Sequence, residues 1–346
     1  MSGRGRAIGL AAGAAWAAAA AAGVGHVLWS SNSRRVRRLL KTVPEHFHTP
    51  ILFLLDREYD GKPPKRDSRL EGLIAKAVPT GLGQPMTIPG RDGEPGVPAY
   101  IYDPPGRRRP SGAVLWIHGG GMIAGAPWMD HAICTRIARE HGLLVISVDY
   151  RLAPEHPFPA GTEDCFTGLL WLHERATLLG VDPSKIAVGG ESAGGGLSAM
   201  VAQMAHDRGV DLAFQALVYP MIDDRTALRD DHGDKGLLVW TSAKNKDAWG
   251  WFLGHPVGEE EDRPYAVPSR RADLSGLAPA WIGIGDKDLF HDEDVEYARR
   301  LEEAGVPVEL VVVPGMYHAA DILQSVPEMR EFRNSLIAAI GRAVAR

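Results

Sequence analysis

One serine stands among five glycines in the stretch GGESAGGG, residues 189–196. The residues before it, 185–190, form an apolar run typical of a buried strand, and residues 193–208 have the character of a helix. A G-x-S-x-G sequence at a strand-to-helix junction predicts a sharp, strained turn that exposes the serine hydroxyl above the sheet. The helix N-terminus adds free N–H groups and partial positive charge. We therefore predict Ser192 as a nucleophile, against the alternative of a plain glycine-rich turn.

A serine that attacks a carbonyl needs hydrogen-bond donors for the oxyanion that forms, and the HGGG stretch at 118–121 can supply them. It follows an apolar run at 112–117 that predicts a strand. Glycines let backbone N–H groups approach the substrate, and losing one such donor can cost about 10²–10³ in rate. His118 is expected to brace this loop. We predict that the oxyanion hole is formed by the amides of Gly119, Gly120, Gly121 and Ala193.

Such a site also needs a general base and an acid that orients the base. His318, in PGMYHAAD, directly follows a late strand-like run, which is the position expected for the base. The stretch GDKDLFHDED offers the acid. Asp292 and Asp294 fall in the first turn of a predicted helix, where acids interact with the helix dipole without a catalytic duty. Asp286 and Asp288 lie in the loop itself, and their spacing leaves both open.

Strand-like and helix-like segments alternate from about residue 85 to the C-terminus, which predicts an α/β fold with a mostly parallel sheet flanked by helices. Reactive groups of such sheets gather at the carboxyl ends of the strands. Two short strands joined by a turn at Asp92 and Gly93 are expected within 85–104. Later strands are expected at 112–119, 143–150, 185–190, 214–220, 278–285 and 306–315, the last as another strand buried on both faces. Helices are expected at 128–141, 161–179, 193–208, 292–305 and 326–344.

Residues 221–267 interrupt this alternation with the tryptophan-rich stretch GLLVWTSAKNKDAWGWFLGH. We expect them to form a cap inserted into a catalytic domain that spans 85–346, with 34–84 contributing cap helices and a linker. Its aromatic residues either pack one face of their own helix or line a pocket. The sequence leaves both interpretations open for Trp240, Trp249, Trp251 and Phe252.

The composition of the 346-residue chain, 45% hydrophobic and 23% charged, is that of an ordinary globular protein. Its 38 basic and 43 acidic residues give a net charge of −5, and no basic, aromatic-rich patch follows residue 45, so no nucleic-acid partner is expected. The glycine loop matches neither G-x-x-x-x-G-K-[ST] nor G-x-G-x-x-G, which argues against a phosphate cradle. Cys134 and Cys165 form neither a disulfide scaffold nor a metal-ligand cluster, and we expect neither a metal nor an organic cofactor.

Residues 7–29 carry no formal charge and lie within an alanine-rich segment at 1–33. Three interpretations stay open. A cleaved signal peptide fits the basic start and the run of small residues. A membrane anchor fits the length, and the basic residues just after it favour a cytoplasmic body. A loosely docked alanine-rich helix on a soluble protein needs no membrane. We expect a cytoplasmic protein, with or without membrane association through 7–29, and secretion stays open.

The order HGGG, G-x-S-x-G, Asp, His resembles that of the hormone-sensitive-lipase-type esterases of the α/β-hydrolase fold, including the bacterial family IV members. The resemblance runs from about residue 85 to the C-terminus and is most specific in HGGG (118–121), YRLAPEHPFPA (150–160), GESAGGG (190–196), YAVPSRRADLSGLAP (265–279) and DLFHDEDVEYARRLEEAG (288–305). It implies the α/β-hydrolase fold with a helical cap, and it assigns the orienting acid to Asp288. It also implies that Tyr150, Arg151 and Glu155 belong to a structural brace outside the catalytic set.

The chain departs from the family pattern near the expected pocket. Met122 stands where an aromatic residue usually follows HGGG, and Glu191 stands where aspartate is common. Leu289 replaces a proline, and Ala319 and Ala320 replace the Gly-Phe often found after the histidine. We expect Met122 and Glu191 at the bound substrate.

The resemblance implies a carboxylesterase that acts on short to medium acyl chains through Ser192, His318 and Asp288, with a small-molecule ester as its partner. An N-acetyl amide hydrolase on the same three residues is the nearest alternative. A non-catalytic small-molecule receptor is less favoured. The plant gibberellin receptors resemble this family but lack the triad histidine, whereas this chain has a histidine at 318. A membrane-anchored interaction protein with an idle site is a further alternative.

Overall fold

The structure, a computed structural model, describes residues 36–49, 52, 60–64, 78–91 and 93–345. The predicted N-terminal segment 1–33, with its uncharged stretch 7–29, lies outside these residues, as does Asp92 of the predicted turn. Across the described ranges, no helix combines the length and the apolar character that crossing a bilayer demands.

One sheet in the described part of the chain has eight strands, numbered in chain order as β1 (Gly83–Ile88), β2 (Val97–Tyr102), β3 (Ser111–Ile117), β4 (Leu144–Val148), β5 (Val181–Glu191), β6 (Phe214–Val218), β7 (Ala280–Gly285) and β8 (Val308–Val313). Their spatial order is β1-β2-β4-β3-β5-β6-β7-β8. β2 runs antiparallel to β1 and β4, and the other neighbouring pairs are parallel. The predicted mostly parallel sheet is confirmed.

Helices flank this sheet and are numbered here as α1 (His131–His141), α2 (Ala160–Glu174), α3 (Ala176–Leu179), α4 (Ala193–Asp207), α5 (Ser242–Leu253), α6 (His291–Glu303) and α7 (Pro327–Val344). α2 packs on α4, and α7 packs on α1. The helix predicted at 161–179 is divided at Arg175, whose backbone leaves helical geometry with φ −100° and ψ 4°. Short 3₁₀ turns lie at Leu40–Thr42, Glu45–Phe47, Pro127–Asp130, Asp224–Leu228, Pro268–Arg270 and Ala320–Ile322.

The strand register brings the carboxyl ends of the central strands to one level. Ile117 of β3 pairs with Gly190 of β5, and Glu191 of β5 pairs with Val218 of β6. Every residue of β4, β6 and β7 is buried, because helices and neighbouring strands cover both faces. The loops that leave β3, β5 and β6 therefore start side by side.

The prediction that residues 306–315 form a strand buried on both faces is wrong. β8 is the last strand of the sheet, and its Leu310 and Val312 side chains are 37% and 40% exposed. An apolar run signals a two-sided strand only where other elements cover both of its faces. At the sheet edge the same composition leaves part of the strand open to solvent.

The insertion between β6 and β7 contains α5 and the 3₁₀ turn Asp224–Leu228, which pack on each other. Trp249 and Phe252 of α5 are buried with their ring centroids 5.8 Å apart. The Phe252 carbonyl accepts a hydrogen bond from the Phe158 N–H at 2.7 Å, and the two rings meet edge to face. The insertion is thus joined to the chain between β4 and α2.

A segment that precedes the sheet packs on the turn after β8. The Tyr317 hydroxyl donates to the Phe47 carbonyl at 3.2 Å. An ideal Cβ on Gly315 would lie 2.6 Å from Pro44 Cδ, so the proline ring packs directly on the backbone at Gly315. The chain around residues 44–47 therefore supports the loop that carries His318.

Gly196→Ala and Gly250→Ala place the same methyl group in two helices with different packing. A Cβ on Gly196 of α4 would lie 2.0 Å from the Met221 carbonyl oxygen, whereas one on Gly250 of α5 would meet the His255 carbonyl oxygen at 3.6 Å. We expect Gly196→Ala to lower the free energy of unfolding by about 1–3 kcal/mol. Gly250→Ala should raise it by about 0.5–1 kcal/mol through helix propensity. Urea denaturation measures both, and a Gly196→Ala variant as stable as the wild type would contradict the close packing.

Candidate active site

Ser192 lies at the junction of β5 and α4 with φ 56° and ψ −120°, a backbone conformation that L-residues rarely adopt. Two glycines permit this turn to approach β3. Ideal Cβ atoms on Gly190 and Gly194 would lie 2.3 and 2.0 Å from the Ile117 carbonyl oxygen. The Ser192 N–H also donates to the Val218 carbonyl at 2.8 Å, which fastens the turn to β6. This is the predicted sharp strand-to-helix turn.

His318 contacts both Ser192 and Asp288. Its Nε2 lies 2.9 Å from Ser192 Oγ, and its Nδ1 lies 2.8 Å from Asp288 Oδ2. Because a carboxylate can only accept, Nδ1 carries the proton and Nε2 is the acceptor for the serine hydroxyl. All three side chains are buried, that of Asp288 completely. The structure therefore brings together the three residues predicted as nucleophile, base and orienting acid.

Asp286 and Asp288, which spacing alone left open, have different partners. Asp286 Oδ1 accepts the Gly315 N–H at 2.6 Å, so this carboxylate fastens the turn after β8. Asp288 Oδ1 accepts the Phe290 N–H at 3.1 Å, while Oδ2 faces His318. The carboxylate that reaches the imidazole is the one that the family resemblance implied.

The two acids assigned to the helix dipole differ from each other. Asp292 pairs with Lys235 at 2.9 Å. Burial opposes its ionisation, but hydrogen bonds from His291 and Lys235 outweigh that effect and lower its pKa to about 2. Asp294 is completely buried, and burial followed by the charges of neighbouring carboxylates raises its pKa well above the usual range. Asp294 lies in the first turn of α6, as predicted, but its burial and raised pKa favour the neutral carboxyl, which weakens its interaction with the helix dipole.

The glycine loop after β3 lies against the serine. An ideal Cβ on Gly119 would be 3.5 Å from Ser192 Cβ. Gly120 and Gly121 have φ values of 121° and 65°, which glycine adopts at little cost. Ala193 is the first residue of α4, so its N–H is one of those for which a helix has no carbonyl of its own. The four predicted oxyanion donors thus belong to two segments that meet at Ser192.

His118 braces this loop from below. Its Nδ1 donates to the Gly119 carbonyl at 2.7 Å, and its ring stacks on Tyr150 with the centroids 4.3 Å apart. The Tyr150 hydroxyl donates in turn to the His118 carbonyl at 3.1 Å. Arg151 forms an ion pair with the buried Asp164 at 2.8 Å. These contacts agree with the structural brace that the resemblance implied for Tyr150 and Arg151, whereas Glu155 is exposed.

The two residues expected at the substrate occupy different environments. Met122 continues the glycine loop with φ 64°, and its side chain is buried. Glu191 directly precedes Ser192, but its carboxylate forms an ion pair with Arg333 and lies 3.4 Å from the Tyr219 hydroxyl. The contacts of Glu191 are within the protein, and they favour a supporting position over the expected contact with substrate.

Three aromatic rings surround His318. Those of Tyr219 and Phe290 meet the imidazole edge to face at centroid distances of 4.8 and 5.3 Å, and that of Trp240 lies tilted at 6.2 Å. The sequence analysis did not single out Tyr219 or Phe290. The signal that could have found them is position, because Tyr219 directly follows β6 and Phe290 comes two residues after Asp288.

Trp240 reaches the site from the insertion, and its ring lies over the glycine loop. An ideal Cβ on Gly121 would lie 2.4 Å from the indole. Trp249 and Phe252 are instead part of the buried core of α5, as described above. The question that the sequence left open therefore has a divided answer. Trp240 lies beside the glycine loop, Trp249 and Phe252 belong to the core, and Trp251 is partly buried and packs against that core.

A strained turn holds Trp240 in this place. The Trp240 N–H bonds to the Leu238 carbonyl at 2.8 Å across Val239, which has φ 64°. Positive φ is an outlier for a β-branched residue, and turns of this three-residue type are strained. The Trp240 Nε1–H donates to Asn245 Oδ1 at 3.2 Å, which fixes the indole from the other side.

A buried serine, histidine and aspartate at the carboxyl edge of a mostly parallel sheet, beside a glycine loop, define the class of α/β hydrolases. A family described as having the alpha/beta hydrolase fold matches residues 114–322. The chain belongs to this family, within the hormone-sensitive-lipase-type esterases that its motifs indicate.

Individual relatives resemble most of the chain. Carboxylesterase NlhH of Mycobacterium tuberculosis is 39% identical over 259 residues, which are 74% of this chain and 81% of that protein. Ethyl acetate hydrolase of Pseudomonas putida is 35% identical over 242 residues, which are 67% and 74% of the two proteins. The solved structure of a bacterial heroin esterase matches with a TM-score of 0.79 and 33% identity, covering 88% of this chain and 98% of that one.

The strained turn predicts an unusual order of stability at position 239. Because a positive φ costs a residue with a Cβ about 1–2 kcal/mol, Val239→Gly should be more stable than Val239→Ala by about that amount. Urea denaturation of the two variants measures the difference. At the neighbouring Leu238, where φ is ordinary, the alanine variant should be more stable than the glycine variant. If alanine is also the more stable residue at 239, the turn is not strained as described.

Proposed function

We propose that this protein is a serine carboxylesterase that hydrolyses short- to medium-chain carboxylic esters through an acyl-enzyme intermediate. The observation that carries the proposal is the continuous chain of contacts from Ser192 Oγ to His318 Nε2 at 2.9 Å and from His318 Nδ1 to Asp288 Oδ2 at 2.8 Å. The relatives named carboxylesterase, ethyl acetate hydrolase and heroin esterase support the ester class.

Acylation begins when His318 Nε2 removes the proton from Ser192 and the alkoxide attacks the ester carbonyl. The carbonyl oxygen becomes an oxyanion, which the amides of residues 119–121 and 193 stabilise where its charge develops. Asp288 keeps the imidazole in the tautomer that accepts at Nε2 and stabilises the imidazolium. The imidazolium then gives its proton to the leaving alcohol, and the acyl group stays on Ser192.

Deacylation repeats these steps with water. His318 removes a proton from water, and the hydroxide attacks the acyl-serine carbonyl within the same oxyanion hole. The second tetrahedral intermediate collapses with Ser192 as its leaving group, and the imidazolium returns the proton to Ser192 Oγ. The carboxylic acid leaves, and the resting contacts are restored.

Two contacts support a cap over this site: that of Trp240 with the glycine loop and that of Phe47 with Tyr317. The Trp240 indole lies against Gly121, so it limits the space beside the oxyanion donors and favours short acyl groups. We infer that residues 221–267 and 34–84 together cap the catalytic domain 85–346, which agrees with the bond from Tyr317 to Phe47. Residues 7–29 lie outside the described residues, so the membrane association predicted from them stays a prediction.

Replacing the nucleophile tests the proposal directly. Ser192→Ala should lower kcat for p-nitrophenyl acetate by about 10⁴-fold or more, because the group that forms the acyl-enzyme is gone. Initial rates on p-nitrophenyl esters from acetate to laurate measure this loss and give the chain-length preference. A fluorophosphonate probe should label the wild type and not the variant. Hydrolysis that survives Ser192→Ala essentially intact would refute the proposed function.

Asp288→Asn and Asp286→Asn are the matched pair for the same assay. Asp288→Asn should lower kcat by about 10⁴-fold, because an amide neither stabilises the imidazolium nor enforces the tautomer. Asp286→Asn weakens the bond to the Gly315 N–H and should cost less than about tenfold, the worth of one hydrogen bond. A larger loss in Asp286→Asn than in Asp288→Asn would overturn the assignment of the acid.

Trp240→Ala should move the acyl preference toward longer chains. Truncating the indole opens space beside Gly121, so the kcat/KM ratio of p-nitrophenyl octanoate to acetate should rise about tenfold or more. Trp251→Ala, which truncates a partly buried tryptophan of α5, is the control and should leave this ratio unchanged. A constant ratio in Trp240→Ala would exclude the indole from the acyl pocket.

A further inference from the structure

A mostly buried arginine connects the segments that carry Ser192 and His318. Arg333 projects from α7 with its side chain 12% exposed, and it forms ion pairs with Glu191 and, at 2.5 Å, with Asp321. Glu191 directly precedes Ser192 in the nucleophile turn, and Asp321 comes three residues after His318. One guanidinium therefore contacts the end of β5 and the histidine loop, which are far apart along the chain.

Tyr219 links the cluster formed by Arg333, Glu191 and Asp321 to the imidazole of His318. Its hydroxyl donates to Asp321 Oδ1 at 2.8 Å and lies 3.4 Å from Glu191 Oε2. Its ring packs edge to face against His318 at 4.8 Å. A shift of either carboxylate would therefore move a ring that touches the catalytic imidazole.

The charge of the cluster depends on Arg333. Asp130, whose carboxylate accepts the Trp116 Nε1–H at 2.9 Å, lies within electrostatic range of Glu191, Asp321 and Arg333. Burial raises the pKa of Asp321 to about 6 even though the Arg333 charge opposes the rise. Removing one partner of a buried ion pair leaves the other charge uncompensated, which is strongly unfavourable. Arg333 supplies the positive charge that pairs with Glu191 and Asp321, whereas burial raises the pKa of Asp130 well above its usual range and favours its neutral form.

We propose that Arg333 is a positioning residue for the hydrolytic reaction. Through its two ion pairs it holds the nucleophile turn and the histidine loop in register, and its positive charge opposes the carboxylates of Glu191 and Asp321 beside the imidazole. The inference rests on the proposed function, because the reaction that it serves is the one proposed above. It also gives Glu191 a role, which is to anchor the turn before Ser192.

Several groups face His318, and the effect of losing Arg333 follows from them. Uncharged Tyr219, Phe290 and Trp240 contribute rings, and Ser192 contributes its hydroxyl. Among the ionisable groups, Asp288 bonds to the imidazole and Asp321 interacts with it electrostatically. Arg333 and Glu191 lie one contact further away, around Asp321 and Tyr219. Asp294 and Asp130 lie near Asp288 and Glu191, but burial raises the pKa of each well above its usual range and favours the neutral carboxyl. Without the guanidinium the carboxylates are unopposed and favour the imidazolium. The base must be neutral to act, so activity should then require a higher pH.

Arg333→Gln in the full chain tests this inference. We expect kcat to fall about 10²-fold while KM for p-nitrophenyl acetate changes less than about threefold, since misplaced catalytic groups slow the chemistry more than they weaken binding. The acid limb of the kcat/KM–pH profile should move to higher pH by about 0.5–1 unit. Arg330→Gln, which removes an exposed arginine of the same helix, is the control and should keep the wild-type kcat and profile.

Two further variants separate charge from positioning and decide the matter if Arg333→Gln folds poorly. Arg333→Lys keeps the charge but cannot reproduce the planar contact with both carboxylates, so kcat should fall while the acid limb stays in place. The double variant Arg333→Gln/Glu191→Gln has the same formal charge in the cluster as the wild type. The acid limb of its kcat/KM–pH profile should therefore return to the wild-type pH, while its kcat stays low. Wild-type kcat and an unmoved acid limb in the folded variants would overturn the inference.

Failure of this inference can be told apart from failure of the proposed function. If the wild type shows no hydrolysis that depends on Ser192, the proposed function fails. The effect of Arg333 on the imidazole is then read without any ester, by NMR titration of the histidine signals in the wild type and in Arg333→Gln. The His318 signals are assigned by their absence in His318→Gln. A midpoint that rises in Arg333→Gln supports the inference, and an unchanged midpoint overturns it.

Discussion

Backbone lies directly against backbone where β5 turns into α4, with positions for ideal Cβ atoms on Gly190 and Gly194 only 2.3 and 2.0 Å from the Ile117 carbonyl oxygen. Any side chain at these places would push the turn away from β3. The glycines therefore allow Ser192 to lie beside the loop that follows β3, within reach of the amides that would stabilise an oxyanion. The strained backbone at the serine costs on the order of 1–3 kcal/mol, which the contacts of the surrounding sheet must offset.

The proposed acid and base reach Ser192 from the loops that follow β7 and β8, the last two strands in the order of the sheet. Gly285 of β7 pairs with Val313 of β8, so the two loops that carry Asp288 and His318 start at the same level. The bond from the Gly315 N–H to Asp286 joins the loops again just beyond the strands. A parallel sheet with a definite register thus converts distant sequence positions into neighbouring ones.

Local features of the sequence predicted most of the fold and the three central residues of the candidate site, because a strand, a glycine turn and a helix each have a signature within a few residues. Features that depend on distant contacts escaped it. The prediction that both faces of β8 are buried was wrong, because an apolar run does not reveal which strand lies at the edge of the sheet. Spacing could not separate Asp286 from Asp288 because the path of their loop decides which carboxylate faces the imidazole. Arg333 carried no signal, since its partners Glu191 and Asp321 belong to other segments.

The contacts of Pro44 and Phe47 with the turn after β8 have a consequence for how this protein is organised. The turn at Gly315 and the Tyr317 side chain contact chain that comes before the first strand of the sheet, so that segment is part of the packing around the histidine loop. A shortened protein that begins at β1 would keep the eight strands of the described sheet and every proposed catalytic group. It would nevertheless expose to water the side of the histidine loop that Pro44 and Phe47 cover. The segment that contains these two residues therefore contributes to the interior of the enzyme.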